Sequence, residues 1–122
     1  MSALETGGFK WVRTDDLPWR ASRMAAGVLV KDVAVTDGWE MQIVRFAPGA
    51  RFPIHTHESP EFLFILEGEL VQAGRRLGPG WASVASAGAI PASASTGSVS
   101  AAPTSKDPQA NRCSTATSSR DW

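Results

Sequence analysis

The stretch Gly49-Ala50-Arg51-Phe52-Pro53-Ile54-His55-Thr56-His57-Glu58-Ser59-Pro60-Glu61-Phe62-Leu63-Phe64-Ile65-Leu66-Glu67-Gly68 decides how the chain reads. His55 and His57, the only two histidines of the protein, stand in one His-Thr-His tripeptide. On an extended strand residues i and i+2 share a face, so both imidazoles can converge on one point. Glu61 follows the Ser59-Pro60 step, which can bend the chain and return a carboxylate toward them. Glu58 is the alternative carboxylate if the loop turns differently. Two imidazoles and one carboxylate are the donor set that holds Fe(II) in facial triads, and the same donors suit Mn, Zn, Ni or Cu. The plain alternative is a pair of surface histidines on a strand, and the tripeptide alone favours that alternative.

Outward from this stretch the chain reads as strands. Trp39-Glu40-Met41-Gln42-Ile43-Val44-Arg45-Phe46 alternates apolar and polar for most of its length, the period of a half-buried strand. Val28-Leu29-Val30 and Val33-Ala34-Val35 flank Lys31-Asp32 in a second β-rich run. Phe62-Leu63-Phe64-Ile65-Leu66 is continuously apolar and short, which predicts a core strand hairpinned through Glu67-Gly68 to Glu69-Leu70-Val71-Gln72. Ala73-Gly74-Arg75-Arg76 predicts a tight turn, and Leu77 to Val84 a further strand broken by Gly78-Pro79-Gly80. A weak helical signal covers Ala21 to Ala26. Trp11, Trp19, Trp39 and Trp81 are expected in the core or an interface, because indoles bury large areas. Closely spaced short strands with Gly/Pro punctuation indicate an all-β sandwich or barrel.

Composition sets the outer limits. With 122 residues and 13.0 kDa there is room for one domain. Lys plus Arg total 12 and Asp plus Glu total 12, so there is no basic excess to recruit nucleic acid or an anionic membrane. No apolar run approaches the ~18 residues of a membrane span. Met1 to Gly8, expected to be flexible, lacks the basic and apolar regions of a signal peptide, so a cytoplasmic protein is the expectation. The single cysteine, Cys113, excludes an intrachain disulfide and any multi-cysteine metal site. Residues 1–88 carry 30 large apolar side chains, whereas 89–122 carry three, Ile90, Val99 and Trp122, and 22 residues that are Ala, Ser, Thr or Pro. Such a segment buries too little to offset its ordering entropy, which predicts a folded domain over 9–88 and a disordered, low-complexity tail over 89–122.

The pattern Gly49-x5-His55-x-His57-x3-Glu61-x6-Gly68 resembles the first motif of the cupin superfamily at every fixed position, a coincidence expected on the order of 10⁻⁵ per chain of this length. Ala47-Pro48-Gly49-Ala50 and Leu66-Glu67-Gly68-Glu69 look like cupin turns. Asp16-Leu17-Pro18-Trp19 leading to Gly27-Val28-Leu29-Val30-Lys31 is similar to the entry of small cupins related to ChrR-type anti-sigma factors and acetylacetone-cleaving dioxygenases. The resemblance implies an all-β jelly-roll barrel (RmlC-like) holding a divalent metal (Fe, Mn, Ni or Zn), with His55, His57 and Glu61 as three of the usual four protein ligands. It also implies oxygen-using chemistry on a small carbonyl or diketone compound bound in the barrel. Composition and spacing assign no catalytic base.

The second cupin motif departs from the family pattern. Gly80 and Gly88 are in place, but Ser86, Pro91 and Ser95 replace the proline, histidine and asparagine, and Pro91 has no side-chain donor for a metal. Either the closing strands were lost naturally, or the sequence beyond about Gly88 is a shifted reading frame of GC-rich DNA. Both routes predict a barrel incomplete at its C-terminus, whose open edges give either a homodimer that completes the sheet between subunits or a marginally stable, aggregation-prone monomer. Beside the metal-dependent dioxygenase-like enzyme stand two alternatives, a non-enzymatic sensor module and a metal-free truncated cupin.

Overall fold

The computed structural model describes residues 3–52, 60–86, 99–101 and 112–117. In chain order the strands are β1 (Ala3–Thr6), β2 (Phe9–Val12), β3 (Arg20–Ala21), β4 (Val28–Thr36), β5 (Trp39–Phe46), β6 (Arg51–Phe52), β7 (Glu61–Glu67), β8 (Leu70–Gln72), β9 (Arg75–Leu77), β10 (Ala82–Ala85), β11 (Val99–Ala101) and β12 (Arg112–Thr117). Among the described residues the only helical element is the 3-10 turn Thr14–Asp16, and Ala21 to Ala26 forms no α-helix. That run has Gly27 at its end and too few residues to repay helix nucleation.

β1 and β2 form a hairpin of their own; the others make a six-stranded sheet, β10-β7-β12-β5-β4-β3, and a four-stranded sheet, β6-β11-β8-β9, with antiparallel pairing throughout. The hairpin from β4 to β5 turns through Asp37 (φ 51°) and Gly38 (φ 80°), the two left-handed residues of a turn whose twist matches the strands it joins. Arg75 and Arg76, expected in a turn, begin β9; the turn itself is Ala73-Gly74. The expected hairpin between β7 and β8 does not form. β7 pairs with β10 and β12, and at Gly68 the chain passes from the larger sheet to the smaller, as a jelly roll requires at its corners.

The core lies between the two sheets. Val28, Val30, Val44, Phe46, Leu63 and Ile65 come from the larger sheet and Phe52, Leu70 and Leu77 from the smaller. Period-two alternation buries Leu63 and Ile65 of β7 and leaves Phe62, Phe64 and Leu66 on the opposite, solvent-facing side. The run expected as a core strand therefore has one buried face only. Trp11, Trp39 and Trp81 are also substantially exposed. Trp19 lies over the outer face of β4 and β5, 4.8 Å from Lys31 Nζ and 4.5 Å from Arg45 Cζ at its ring centre.

Within 89–122, the stretch expected as a loose tail, β12 takes the place between β5 and β7, and β11 sits between β6 and β8. Strand pairing is carried by backbone N–H and C=O groups, which every non-proline residue supplies whatever its side chain, so a run poor in large apolar residues can still fill a sheet.

Gly27 (φ +76°) ends the turn into β4, and its carbonyl accepts from Ala47 N at 2.8 Å. A Cβ here would meet Ala50 Cβ at 3.2 Å and Ala47 Cβ at 3.4 Å. Gly27→Ala is expected to cost about 1–2 kcal/mol through left-handed strain and this close approach, read as a lower urea midpoint at unchanged slope.

Candidate functional site

One end of the inner face is polar. On β5 the buried side chains are Glu40, Gln42, Val44 and Phe46 in alternation, so anchoring Val44 and Phe46 in the core turns Gln42 and Glu40 to the same side. On β7 the same rule turns Glu61 inward with Leu63 and Ile65, leaving it 3% exposed. The register places Glu61 and Glu40 at one level, each opposite Thr117 of β12, and Leu63 and Gln42 one level deeper, each opposite Thr115. Two strand spacings, about 10 Å, therefore separate the Glu61 and Glu40 backbones.

At the mouth of this polar end Asp32 gathers donors. Arg20 donates from Nε to Asp32 Oδ2 at 2.6 Å and from Nη2 to Oδ1 at 2.9 Å, and Gln42 Nε2 donates to Oδ1 at 2.8 Å. The fork geometry fixes Arg20, although a pair this open to solvent contributes less than about 1 kcal/mol. The Arg20 pKa is raised, chiefly by the hydrogen bond to Asp32, with burial opposing and the charges of Asp32 and Glu40 adding to the rise. The shift favours the cationic form of Arg20, the form that donates to Asp32. A cleft of about 400 Å³ opens here, lined among others by Arg20, Arg23, Asp32, Glu40 and Gln42. On β10, Ser83 Oγ donates to Gln72 Oε1 of β8 at 2.5 Å, tying the two sheets together.

Of the three expected metal ligands, Glu61 lies on the inner face at the start of β7. His55 and His57 belong to the connection from β6 to β7 and lie outside the described residues, as does Pro91. Among the described residues no three His, Cys, Asp or Glu side chains gather into a metal-binding group. The donor chemistry of Glu61, a carboxyl group turned into a protected interior, fits a divalent cation. Glu40, Gln42 and Asp32 were not singled out from the sequence. For Glu40 and Gln42 the signal was the phase of the β5 alternation, legible once Val44 and Phe46 are known to be the core positions; for Asp32 it was the phase of β4 set by the buried Val28 and Val30.

A family model described as ChrR Cupin-like domain matches residues 8–97. The chain belongs to this cupin family. Solved structures share the jelly roll. A chain from the Rhodobacter sphaeroides complex of SigE with the anti-sigma ChrR superposes with a TM-score of 0.67 at 20% identity, covering 86% of this chain and 50% of that one. This cupin therefore spans half the length of that relative. An RmlC-like cupin from Shewanella frigidimarina gives 0.67 at 14% identity, covering 98% of this chain and 96% of that one. An acetylacetone dioxygenase from Acinetobacter johnsonii gives 0.66 at 12% identity, covering 93% and 74%. At these identities the likeness is one of fold. No curated protein matches the sequence significantly. Among the described residues no helix is long and apolar enough to cross a membrane.

Proposed function

We propose that this cupin holds a divalent metal (Fe, Mn, Ni or Zn) through His55, His57 and Glu61 and binds a small molecule at the polar end of its barrel, for dioxygenase-like chemistry. The observation that carries this is the burial of Glu61 on the inner face, beside the apolar wall of Leu63 and Ile65. When bound, the metal supplies Lewis acidity and open coordination positions for small ligands. Glu61 then supplies an anionic donor, and Leu63, Ile65 and Phe52 keep the interior dry. Gln42 and the Arg20–Asp32 pair present polar groups that orient a carbonyl compound entering through the cleft. The protein works in the cytoplasm as a homodimer, with Cys113 reduced.

A second reading, a metal- or ligand-responsive sensor module, is favoured by the ChrR description of the matching family. Elemental analysis of the tag-free full chain beside the His55→Ala/His57→Ala double variant tests the metal. Near-stoichiometric metal in the parent, lost in the variant, is the expected result; a parent without metal sinks the proposal. Oxygen uptake with small β-diketones then separates enzyme from sensor.

A further inference from the structure

The cleft at the polar end carries charge of both signs, and the signs are sorted along β4. Val30 lies opposite Arg20, Asp32 opposite Gln42 and Val35 opposite Glu40. Beyond Arg20 the chain stays beside β4, with Ser22 N donating to the Val28 carbonyl at 2.9 Å, and Arg23 follows. Glu40 and Arg23 therefore line opposite ends of the cleft, their backbones separated along β4 by roughly 20 Å of strand. Between them Arg20 and Asp32 compensate one another through their two-point fork. Met24, Ala34 and Val35 supply apolar wall.

We infer that the compound taken by this cleft is a small linear amino acid whose ammonium and carboxylate stand at opposite ends of a methylene chain. The ammonium donates to Glu40, and the carboxylate accepts from Arg23. The inference rests on the small-molecule part of the proposal above, names the class of that compound and does not involve the metal.

Three observations select this class. The first is charge. Arg20, Arg23, Asp32 and Glu40 sum to zero, so a ligand of net charge meets no compensating excess, whereas a zwitterion is matched at both ends. The second is the balance of donors and acceptors. Glu40 is 8% exposed and as a carboxylate only accepts, and Gln42, with Nε2 committed to Asp32, has only its Oε1 to offer. This end of the cleft calls for a donor, and the Glu40 charge favours a cationic one. Arg23 offers donors alone, and among the described residues it forms no ion pair or hydrogen bond. The third is spacing. An α-amino acid carries both charges at one end, too close together to meet groups that enter from opposite ends of the cleft. A chain of several methylenes separates them and lies along Met24 and Val35. The cleft volume of about 400 Å³ accommodates a ligand of this size.

Isothermal titration calorimetry on the tag-free full chain, as purified and after chelator treatment, tests this with 5-aminopentanoate. Binding with a Kd below about 1 mM is expected in both preparations. Pentanoate and pentylamine, each lacking one charge, are expected to bind at least ~10-fold more weakly. So is 2-aminopentanoate, the isomer with both charges at one end. Glu40→Gln should abolish the preference for 5-aminopentanoate over pentanoate, and Arg23→Gln the preference over pentylamine. Arg23 is exposed, so its variant decides the matter if Glu40→Gln does not fold. No binding of 5-aminopentanoate up to about 10 mM overturns the inference, as does equal affinity for any of the three analogues. Preferences that persist in the folded variants overturn it as well. A chain that binds 5-aminopentanoate but holds no metal sinks the metal reading alone, and a metal-loaded chain that does not bind it sinks this inference alone.

Discussion

Glu61→Gln should lower the metal affinity of this cupin by at least about 100-fold while changing the urea stability of the metal-free protein by less than about 1 kcal/mol. The substitution keeps the shape of the side chain and its capacity to hydrogen-bond at a site that is 3% exposed, so packing is conserved. It removes the negative charge, which a divalent cation needs from its ligands in compensation for lost hydration. Two neutral imidazoles from His55 and His57 would remain. Competition with a chromophoric chelator reads the affinity, and urea titration of the stripped proteins reads the stability. An unchanged affinity would remove Glu61 from the ligand set. A loss of several kcal/mol in the stripped protein would show that the carboxylate serves the fold and not the metal.

Phe46→Ala should cost about 3–5 kcal/mol, the largest single-site loss expected in this chain. Phe46 closes the buried series of β5 at 0% exposure, opposite Val28 in register, and belongs to the same cluster as Val44, Phe52 and Ile65. The lost ring leaves a cavity that strands on both sides cannot collapse into, because the backbone ladder holds them apart. Against a typical stability of about 5–15 kcal/mol, that is a large share. Phe9→Ala is the matched control: Phe9 is 68% exposed on the separate β1–β2 hairpin, and its loss should cost less than about 1 kcal/mol. Equal losses at the two positions would mean that the core is not where the burial places it.

Much of this was legible in the residues. The alternation of β5, the Val-rich run of β4 and the short apolar run of β7 named their own strands, because side-chain period and β-branching act locally. The Gly49-to-Gly68 pattern identified the family and placed Glu61 as a candidate, since that spacing is set by one turn and one strand. Non-local information was missing where the expectations failed. The hairpin from β7 to β8 was read from chain proximity, yet Gly68 carries the chain to the other sheet. The tryptophans were expected in the core or an interface from their size, and Trp11, Trp39 and Trp81 stand on outer surfaces, outside the core.

By itself, then, the sequence determined the fold class and the strands β4, β5 and β7, and singled out His55, His57 and Glu61 as candidate donors, all of which depend on spacing within a few residues. Tertiary structure alone decided which phase of each alternation faces inward. A strand with apolar groups on both faces, such as Phe62 to Leu66, or with Trp39 and Met41 opposing Val44 and Phe46, is ambiguous until a second sheet covers one side. That choice turned Glu40 and Gln42 into the interior and left Phe62, Phe64 and Met41 outside. It also let β12, a run of Arg, Cys, Ser, Thr and Ala, occupy the space between β5 and β7, because pairing there depends on backbone hydrogen bonds that no side-chain pattern announces.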